Sequence, residues 1–361
     1  MYYIPLLIMF LFCVFENRSF KNKDIYWRIA FGILLLMLCL RYGQGTDYFG
    51  YKWNYLNGDT HSEKGFVFIQ QIFRSMGAGF EELVFVISLF QMFCIYRALK
   101  LFSPYKSMSL LLLYPTIYLT YFFSALRQGI VIAFFLGFML KWLLDGKWIR
   151  YFAACIIMAS IHSISLVLIP LAAVVFLKRK HLYCVVFLVF FVGGAIYFLP
   201  PSVFSFVKIG SFQYYINSFS ISYMGILERA VLFGIVVVLW ELAKKNIEPD
   251  DGIEIIYKIY LCGFAISILF FPWALMSSRL PAALKATEII LIPMLLYKNV
   301  RARQIITVLL MCYVLVMTTK NLSMYISQGG YKNCNVVTYP YISVFNKELE
   351  EIRVVGYEFE E

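Results

Sequence analysis

The sequence IVIAFFLGFMLKWLL, residues 130–144, decides the fold class because it is apolar on every face and carries only one charge, Lys141. A strand of a membrane β-barrel would instead alternate apolar and polar side chains over about ten residues. Other apolar stretches of about 17–20 residues recur along the chain between short polar breaks, and each can cross roughly 30 Å of hydrocarbon as a helix. The pattern therefore predicts membrane-spanning α-helices.

The composition of the whole chain also indicates a lipid environment. The 361 residues are 61% hydrophobic and 15% charged, with a mean hydropathy of +0.76, whereas a soluble domain is roughly 45–50% apolar. We predict an all-α fold, a polytopic integral membrane helical bundle of about twelve transmembrane helices. The predicted spans are residues 1–15, 25–42, 81–99, 107–124, 126–144, 149–162, 163–177, 182–199, 226–243, 253–271, 281–297 and 304–320. The first is expected to be a span and not a signal peptide, because it has no basic n-region and no small-residue cleavage site.

Basic residues in the connections predict the orientation, because short cytoplasmic loops carry the excess of Lys and Arg. One alternate set of connections holds nineteen of the 32 basic residues. These are Arg18, Lys21, Lys23, Arg28, Arg97, Lys100, Lys106, Lys141, Lys147, Arg150, Lys178, Arg179, Lys180, Lys244, Lys245, Lys258, Lys298, Arg301 and Arg303. We place this set in the cytoplasm and both termini outside. The net charge of +11 is spread in small groups beside the spans, which is not the pattern of a nucleic-acid surface.

The predicted organisation is a single multispanning domain, residues 1–330, followed by a polar external tail, residues 331–361. Two external connections are long. The first, residues 43–80, is rich in aromatic side chains, and the second, residues 200–225, begins with two prolines. Long loops over a scaffold often carry a functional site. We therefore expect the site on the external side.

Four arginines that the orientation rule does not explain fall at the external ends of predicted spans. They are Arg41, Arg127, Arg229 and Arg279. Any one of them can be a side chain that reaches lipid headgroups. Four at one depth favour an anionic ligand, because guanidinium groups bind phosphate oxygens in a bidentate fork. The ligand that we favour is a lipid pyrophosphate, whose tail stays in the bilayer.

The segment RYGQGTDYFGYKWNY, residues 41–55, combines one of these arginines with a tight turn and a carboxylate. Two glycines in it allow the turn, and Asp47 follows. Asp47 can act as a general base, orient an arginine, bind a sugar, or simply cap a helix. Tyr48 and Tyr51 can stack on sugar faces, although each also fits an aromatic belt at the membrane interface.

His162, in ASIHSISL, is the leading candidate for the base. It is an ionisable group in an otherwise apolar hairpin, and such groups at membrane depth are rare and often functional. An imidazole that titrates near neutrality can take a proton from an attacking hydroxyl. Glu228, beside Arg229, is a competing base, and an ordinary ion pair explains it equally well.

Several catalytic motifs are missing from the sequence. It contains no GxxxxGK[ST] loop, HExxH pair, GxSxG elbow or CxxC pair. ATP-driven pumping, zinc hydrolysis and serine hydrolysis are therefore disfavoured. The external loops also have no acidic DxD pair, so we expect no metal site and no cofactor.

Three blocks of sequence carry a family resemblance. They are RYGQGTDYFGY (41–51), SALRQGIVIAFFLGFMLKWLLDGKWIRYFAACIIMASIHSISLVLIP (124–170) and SSRL (277–280). In these blocks the chain resembles the EpsG/Wzy-like family of bacterial polysaccharide polymerases. The matched positions are Arg41, Gly45, Asp47 and Tyr51 in the first motif, Arg127 in the second, His162 in the third and Arg279 in the last.

The resemblance implies an enzyme of the multispanning GT-C class in the bacterial inner membrane, with its active site facing the periplasm. It would join undecaprenyl-pyrophosphate-linked oligosaccharide repeat units into O-antigen or exopolysaccharide. The arginines would bind the pyrophosphate, and His162 or Asp47 would act as the base. We add Arg229 to the pyrophosphate ligands, and Glu228 to the sugar-binding candidates with Tyr48 and Tyr51. A flippase and a chain-length regulator of the same pathway are candidate partners, besides membrane lipids.

Other functions compete with a polymerase. A flippase for the same lipid-linked oligosaccharide would need cations deep in a central cavity, whereas these lie at one boundary. An O-acetyltransferase needs a cytoplasmic path for its acyl donor, whereas these polar residues are external. An O-antigen ligase would use the same donor, and local motifs do not separate it from a polymerase. A purely structural role is disfavoured because ionisable residues at membrane depth are costly.

Overall fold

The computed structural model describes residues 1–18, 23–59, 62–199, 220–248, 252–299, 303–329 and 334–347. These residues form helices and connections, with two isolated β-bridges and no strand. The all-α prediction is therefore confirmed for the described part of the chain. Most of the predicted loop at 200–225 and the predicted tail beyond residue 347 lie outside the described residues.

Four helices in the described ranges are long and apolar enough to cross a membrane. They are Phe80–Phe102, Leu126–Leu144, Arg179–Tyr197 and Arg303–Gln328. A fifth candidate is a pair of helical segments, Ala274–Lys285 and Glu288–Lys298, which meet at a bend of 50°. Every predicted span contains helix, but several of these helices are shorter than the candidates above. The structure thus supports a multi-pass membrane protein.

The chain divides into two compact units, of which the first comprises Met1–Phe138, Ser160–Ser163 and Val300–Glu361. Its α-helices, in chain order, are Tyr3–Arg18, Lys23–Cys39, Tyr48–Asn57, Lys64–Ser75, Phe80–Phe102, Lys106–Leu113, Leu126–Phe134 and Arg303–Gly329. Two segments are π-helical, Tyr114–Phe122 and Phe135–Met139. Their long runs of Leu, Ile, Val and Phe suit a lipid environment, and there an α-helix is favoured because it pairs backbone N–H and C=O groups within the segment.

One end of the first unit is closed by groups from predicted cytoplasmic connections. The buried carboxylate of Glu16 accepts hydrogen bonds from the backbone N–H groups of Lys106 and Ser107, at 3.0 and 2.9 Å. It therefore satisfies donors at the start of the helix Lys106–Leu113. Close by, the guanidinium of Arg303 donates to the hydroxyl of Tyr105 at 2.5 Å.

The other end of this unit is closed by groups from predicted external segments. The Tyr2 hydroxyl donates to Oε1 of Gln44 at 2.5 Å, and Nε2 of Gln44 donates to the carbonyl of Pro340 at 2.8 Å. The backbone of Tyr42 pairs with that of Ile342 at 3.0 Å. Connections that the charge pattern groups on one side of the membrane are therefore neighbours within this unit.

The π-helical segment Tyr114–Phe122 shapes the end of the first unit that is predicted to be external. Its backbone bonds span five residues, as in the 3.1 Å bond from the N–H of Phe123 to the carbonyl of Tyr118. Single π-turns inside α-helices are rare and often occur at functional sites. The segment ends just before Ser124 and Ala125, and a new helix begins at Leu126. It leaves the carbonyl groups of Phe122 and Phe123 facing the first sequence motif.

The second unit comprises Met139–Ala159 and Ile164–Asn299. Its α-helices are Leu140–Leu144, Leu171–Val174, Arg179–Tyr197, Tyr223–Ala243, Ile253–Leu269, Ala274–Arg279, Ala282–Lys285 and Glu288–Lys298, with a 3-10 turn at Lys244–Asn246. It also includes most of the helix Trp148–Ile161 and of the 3-10 helix Ser163–Leu168, whose adjoining ends belong to the first unit. Aromatic side chains fill its core. The rings of Phe233 and Phe264 stack at 3.6 Å, and those of Trp240 and Tyr257 stack at 4.2 Å.

Candidate functional site

The first motif forms a tight turn that packs against the second motif. Gly43 and Gly45 have φ of 65° and 102°, in the left-handed region that favours glycine. A Cβ on Gly45 would lie 2.3 Å from the carbonyl oxygen of Phe123, so a side chain does not fit there. The N–H of Thr46 then donates to Oγ of Ser124 at 3.0 Å. The two motifs are therefore in direct contact three residues before Arg127.

Arg41 lies under this turn and is 1% exposed. Its guanidinium donates to the carbonyls of Leu38 and Phe122, at 2.5 and 2.8 Å, and to Oγ of Ser88 at 2.9 Å. It also lies over the ring of Phe123, at 5.1 Å from the ring centroid. Arg41 thus joins three helical segments through their backbone and side-chain oxygens. Its predicted contact with a pyrophosphate stays a prediction.

Asp47 and Tyr48 lie where the turn becomes the helix Tyr48–Asn57. The half-buried carboxylate of Asp47 accepts from Oγ1 of Thr46 at 2.9 Å, and its carbonyl accepts from the N–H of Tyr51 at 3.0 Å. The ring of Tyr48 is 1% exposed and packs edge-on against Tyr42 and Phe80. Burial raises the pKa of the Tyr48 hydroxyl. Tyr48 therefore packs inside the unit in this structure, and its sugar contact stays a prediction.

Arg127 lies in the first turn of the helix Leu126–Phe134 and is partly exposed. Its Nε donates to the hydroxyl of Tyr51 at 3.4 Å, and the guanidinium lies over the rings of Tyr51 and Phe66 at 5.8 and 6.0 Å. Its terminal nitrogen Nη1 forms a salt bridge with Oε2 of Glu63. The predicted residues Arg127 and Tyr51 are therefore neighbours. Glu63, the carboxylate that pairs with Arg127, was not among the residues predicted from the sequence.

Glu63 connects Arg127 to His162. Its Oε1 accepts from the backbone N–H of Ser163 at 2.8 Å and from Oγ of Ser163 at 2.9 Å, and lies 3.1 Å from Nδ1 of His162. Burial raises the pKa of Glu63. The hydrogen bonds with His162 and Ser163 and the charge of Arg127 together lower it by more than burial raises it, so the pKa lies below its usual range. Glu63 is therefore an ionised acceptor at neutral pH.

The segment around Glu63 is fixed by close packing. A Cβ on Gly65 would lie 2.3 Å from Oγ of Ser160, so the start of the helix Lys64–Ser75 approaches the chain just before His162. The carboxylate of Asp59 accepts from the N–H of Ser62 at 2.8 Å and from Nε2 of Gln70 at 2.9 Å. These contacts hold Glu63 against His162 and Ser163.

In the second unit, Arg229 contacts the SSRL block. Its Nη1 donates to Oγ of Ser277 at 2.6 Å. The chain just before the Arg229 helix also pairs with the chain just before the SSRL block. The N–H of Ser220 donates to the carbonyl of Pro272, and the N–H of Ala274 donates to the carbonyl of Ser220. Glu228 and Arg279 are half-buried, and Arg279 is the last residue of its helix. The predicted Arg229 and the SSRL block are therefore neighbours.

Arg229 also lines an apolar cavity of about 580 Å³ within the second unit. The cavity lies among the helices Arg179–Tyr197, Tyr223–Ala243 and Ile253–Leu269. Tyr183 and Ser267 are its other polar lining residues, and phenylalanine and aliphatic side chains supply the rest. A cationic group beside an apolar space fits a ligand that has an anionic head and a hydrocarbon tail.

The described residues contain no group of three or more His, Cys, Asp or Glu side chains placed to hold a metal ion. In the first unit, the structure brings Tyr51, Arg127 and His162 into one cluster through Glu63. We use the term Glu63 cluster for these four residues together with Ser163. It combines a cation, an imidazole and a fixed carboxylate, which can bind an anion and move a proton.

Comparison with known proteins adds a family. No curated protein and no solved structure matches the chain. The model of the EpsG family matches residues 24–343, which includes all three motif blocks and most of the chain. The first unit's cluster and the second unit's Arg229 and SSRL block all fall inside that match. The chain belongs to the EpsG family.

Proposed function

We propose that this protein is a membrane glycosyltransferase that polymerises undecaprenyl-pyrophosphate-linked oligosaccharide repeat units into O-antigen or exopolysaccharide. Membership of the EpsG family suggests a polysaccharide polymerase-like function. The observation that carries the proposal is the Glu63 cluster, where Arg127 and His162 share one carboxylate. Arg127 supplies a phosphate ligand and His162 supplies a base, and both contact the same carboxylate.

The proposed reaction is a displacement at the anomeric carbon. A hydroxyl oxygen of one lipid-linked unit forms a bond to that carbon, and the bond from the carbon to the pyrophosphate oxygen breaks. The electron pair leaves with the lipid pyrophosphate, where Arg127 stabilises the developing charge. His162 accepts the hydroxyl proton. A single direct displacement inverts the configuration at that carbon.

The other predicted residues keep supporting roles in the proposal. Asp47 is the alternative base. Arg229 and Arg279 bind pyrophosphate, and Arg41 belongs to the same predicted set, although its hydrogen bonds to Leu38 and Phe122 favour a role in packing. Tyr51, which stacks near Arg127, binds sugar, and Tyr48 and Glu228 are further sugar-binding candidates.

The setting of this reaction is also part of the proposal. We place the chain in the bacterial inner membrane with twelve spans in a GT-C-like architecture, as one multispanning domain over residues 1–330 with a polar external tail. The active site faces the periplasm, and the reaction needs neither a metal ion nor a cofactor. A flippase and a chain-length regulator are the proposed pathway partners.

A flippase and an O-antigen ligase are the alternatives. A flippase moves the lipid-linked oligosaccharide without forming a bond, so product formation by the protein in detergent separates it from a polymerase. A ligase would use the same cluster with a different acceptor, so the acceptor has to be tested directly.

The test is an assay with purified protein in detergent, which removes any need for transport across a bilayer. The protein is incubated with undecaprenyl-pyrophosphate repeat unit and EDTA, and chain length is read on a gel. We expect a ladder with wild type and none with His162→Ala. If folded wild type with a matched substrate gives no ladder, the polymerase is contradicted. Transfer only to added lipid A core would identify a ligase instead.

A further inference from the structure

We infer that Glu63 is a positioning residue, which holds His162 in the tautomer with hydrogen on Nδ1 and so presents Nε2 as the proton acceptor. This inference deepens the proposed function and rests on it for the identity of the base. Glu63 lies outside all three sequence motifs. It is separated from Arg127 by 64 positions and from His162 by 99 in the sequence.

The tautomer follows from counting donors and acceptors at the carboxylate. Oε1 of Glu63 accepts two bonds from Ser163, from its N–H and its Oγ, and also contacts Nδ1 of His162 at 3.1 Å. Oε2 accepts from Arg127. An ionised carboxylate has no hydrogen to give, so the hydrogen in the contact with His162 is on Nδ1. In the neutral imidazole, Nε2 then carries the lone pair.

The charges around the cluster keep Glu63 ionised. Arg127, from the helix Leu126–Phe134, pairs with it directly, and Tyr51, from the helix Tyr48–Asn57, bonds to Arg127. His162 is the remaining titratable group of the cluster. These contacts lower the pKa of Glu63, in spite of its partial burial, so the carboxylate acts as an acceptor throughout the neutral range.

The geometry favours positioning over an isolated ion pair. The backbone N–H of Ser163 donates to the Glu63 carboxylate. This bond fixes the carboxylate beside His162, the residue whose imidazole it orients. Gly65 packs closely against Ser160, so the segment that carries Glu63 lies next to the segment that carries His162. The side chains of Arg127 and Glu63 are 23% and 22% exposed, and that of His162 is 11% exposed, so the cluster is fixed without being sealed. A carboxylate that orients an imidazole in this way is a common device for a general base.

The first test measures the tautomer of His162 directly and needs no measurement of enzyme activity. The chain has three histidines, so replacing His61 and His181 leaves His162 as the single imidazole for ¹⁵N-histidine labelling and NMR of the purified protein. At a pH where the ring is neutral, we expect a protonated Nδ1 and an unprotonated Nε2. In Glu63→Gln, the population with hydrogen on Nε2 should increase. A protonated Nε2 in the parent protein would overturn the inference, whatever the enzyme's reaction is.

The second test measures kcat and KM in the polymerisation assay. We expect kcat of Glu63→Gln to fall by about 10²–10⁴-fold with a much smaller change in KM, because the base and not the binding surface is disturbed. Glu63→Asp should recover part of kcat.

A matched control is Glu81→Gln, which removes another partly exposed carboxylate of the first unit, paired with Lys52 at 3.1 Å. It should leave kcat and KM unchanged. Wild-type kcat in Glu63→Gln, with folding verified by a monodisperse elution profile, would overturn the positioning role. Failure of the wild type to polymerise would contradict the proposed function and leave the NMR result to decide the tautomer separately.

Discussion

Arg41 and Arg127 belong to the same predicted set of external arginines, but the structure gives them different environments. Arg41 is 1% exposed and bonds to the carbonyls of Leu38 and Phe122. The Arg127 side chain is 23% exposed and pairs with the carboxylate of Glu63. Depth along the membrane is therefore a poor guide to the role of an arginine when its hydrogen-bond partners are unknown.

The difference has a physical consequence for ligand binding. Carbonyl groups at the end of a helix need donors, so a guanidinium that satisfies them stabilises the fold. A guanidinium at a partly open site that pairs with a carboxylate can also bind a phosphate in place of that carboxylate. We therefore expect substitutions at Arg127 to impair activity and substitutions at Arg41 to impair folding.

The largest effect is expected for Arg127→Ala in the polymerisation assay. Loss of the cation removes stabilisation of the leaving group, so kcat/KM should fall by about 10²–10³-fold. Arg127→Lys should recover little, because an ammonium group lacks the bidentate fork. The control Arg74→Ala removes a half-buried arginine that stacks on Tyr55, away from the Glu63 cluster. Equal polymer yield from Arg127→Ala and Arg74→Ala would remove Arg127 from the site.

Next in size is the loss of stability in Arg41→Ala. The substitution leaves buried carbonyls of Leu38 and Phe122 without this donor, which should cost about 3 kcal/mol or more in the free energy of unfolding. The measurement is the midpoint of thermal unfolding in detergent, followed by the assay on whatever folds. A variant with the wild-type midpoint but no activity would show that Arg41 contacts substrate, and the contrast with Arg127 would disappear.

A smaller loss of stability is expected for Gly45→Ala, which tests the contact between the two motifs. A Cβ there would meet the carbonyl of Phe123, and the φ of 102° is unfavourable for alanine, so we expect a cost of about 1–3 kcal/mol. Gly32→Ala is the matched control, because Gly32 is in a helix with nothing within 4 Å of an added Cβ. That variant should be unchanged or more stable. Equal midpoints for the two variants would contradict a tight turn at Gly45.

The smallest effect is on the pH dependence of stability in Glu63→Gln. The pKa of Glu63 is lowered in the folded protein, so its contribution is fully present above its unfolded pKa and is lost as the pH falls through the folded pKa. The unfolding midpoint of the variant should lie below that of wild type at neutral pH. The gap should narrow below about pH 4. A gap that does not narrow on acidification below about pH 4 would contradict an ionised Glu63.

The sequence was sufficient to predict the helical class and part of the site. Uniformly apolar runs such as residues 130–144 have one stable backbone solution in lipid, so helix was predictable there. Arg127, Tyr51 and His162 were candidates from residue type and depth, and the structure brings them together. Glu63 was not a candidate, because HSEKG reads as an ordinary polar loop. Its contacts arise from chain segments far apart in sequence, which no local pattern encodes.

Two further features depend on packing and not on pattern. The π-helical turn over Tyr114–Phe122 has the composition of an ordinary apolar helix, and its shifted bonds become evident only in the folded backbone. The burial of Tyr48 among Tyr42 and Phe80 likewise depends on the fold of the segment 43–80. An interfacial aromatic residue and a core aromatic residue have the same letter in the sequence.

The most direct test of the account is a single-turnover measurement of lipid pyrophosphate release, with purified protein in excess over labelled undecaprenyl-pyrophosphate repeat unit, in EDTA. Wild type, Arg127→Ala, His162→Ala and Arg229→Ala are compared at saturating acceptor. We predict release in wild type, coupled one-to-one with sugar linkage formation, and a fall of about 10²-fold or more in Arg127→Ala and His162→Ala. Wild-type release rates in both variants would contradict a catalytic role for the Glu63 cluster. If Arg229→Ala alone abolished release, the reaction would have to be assigned to the second unit.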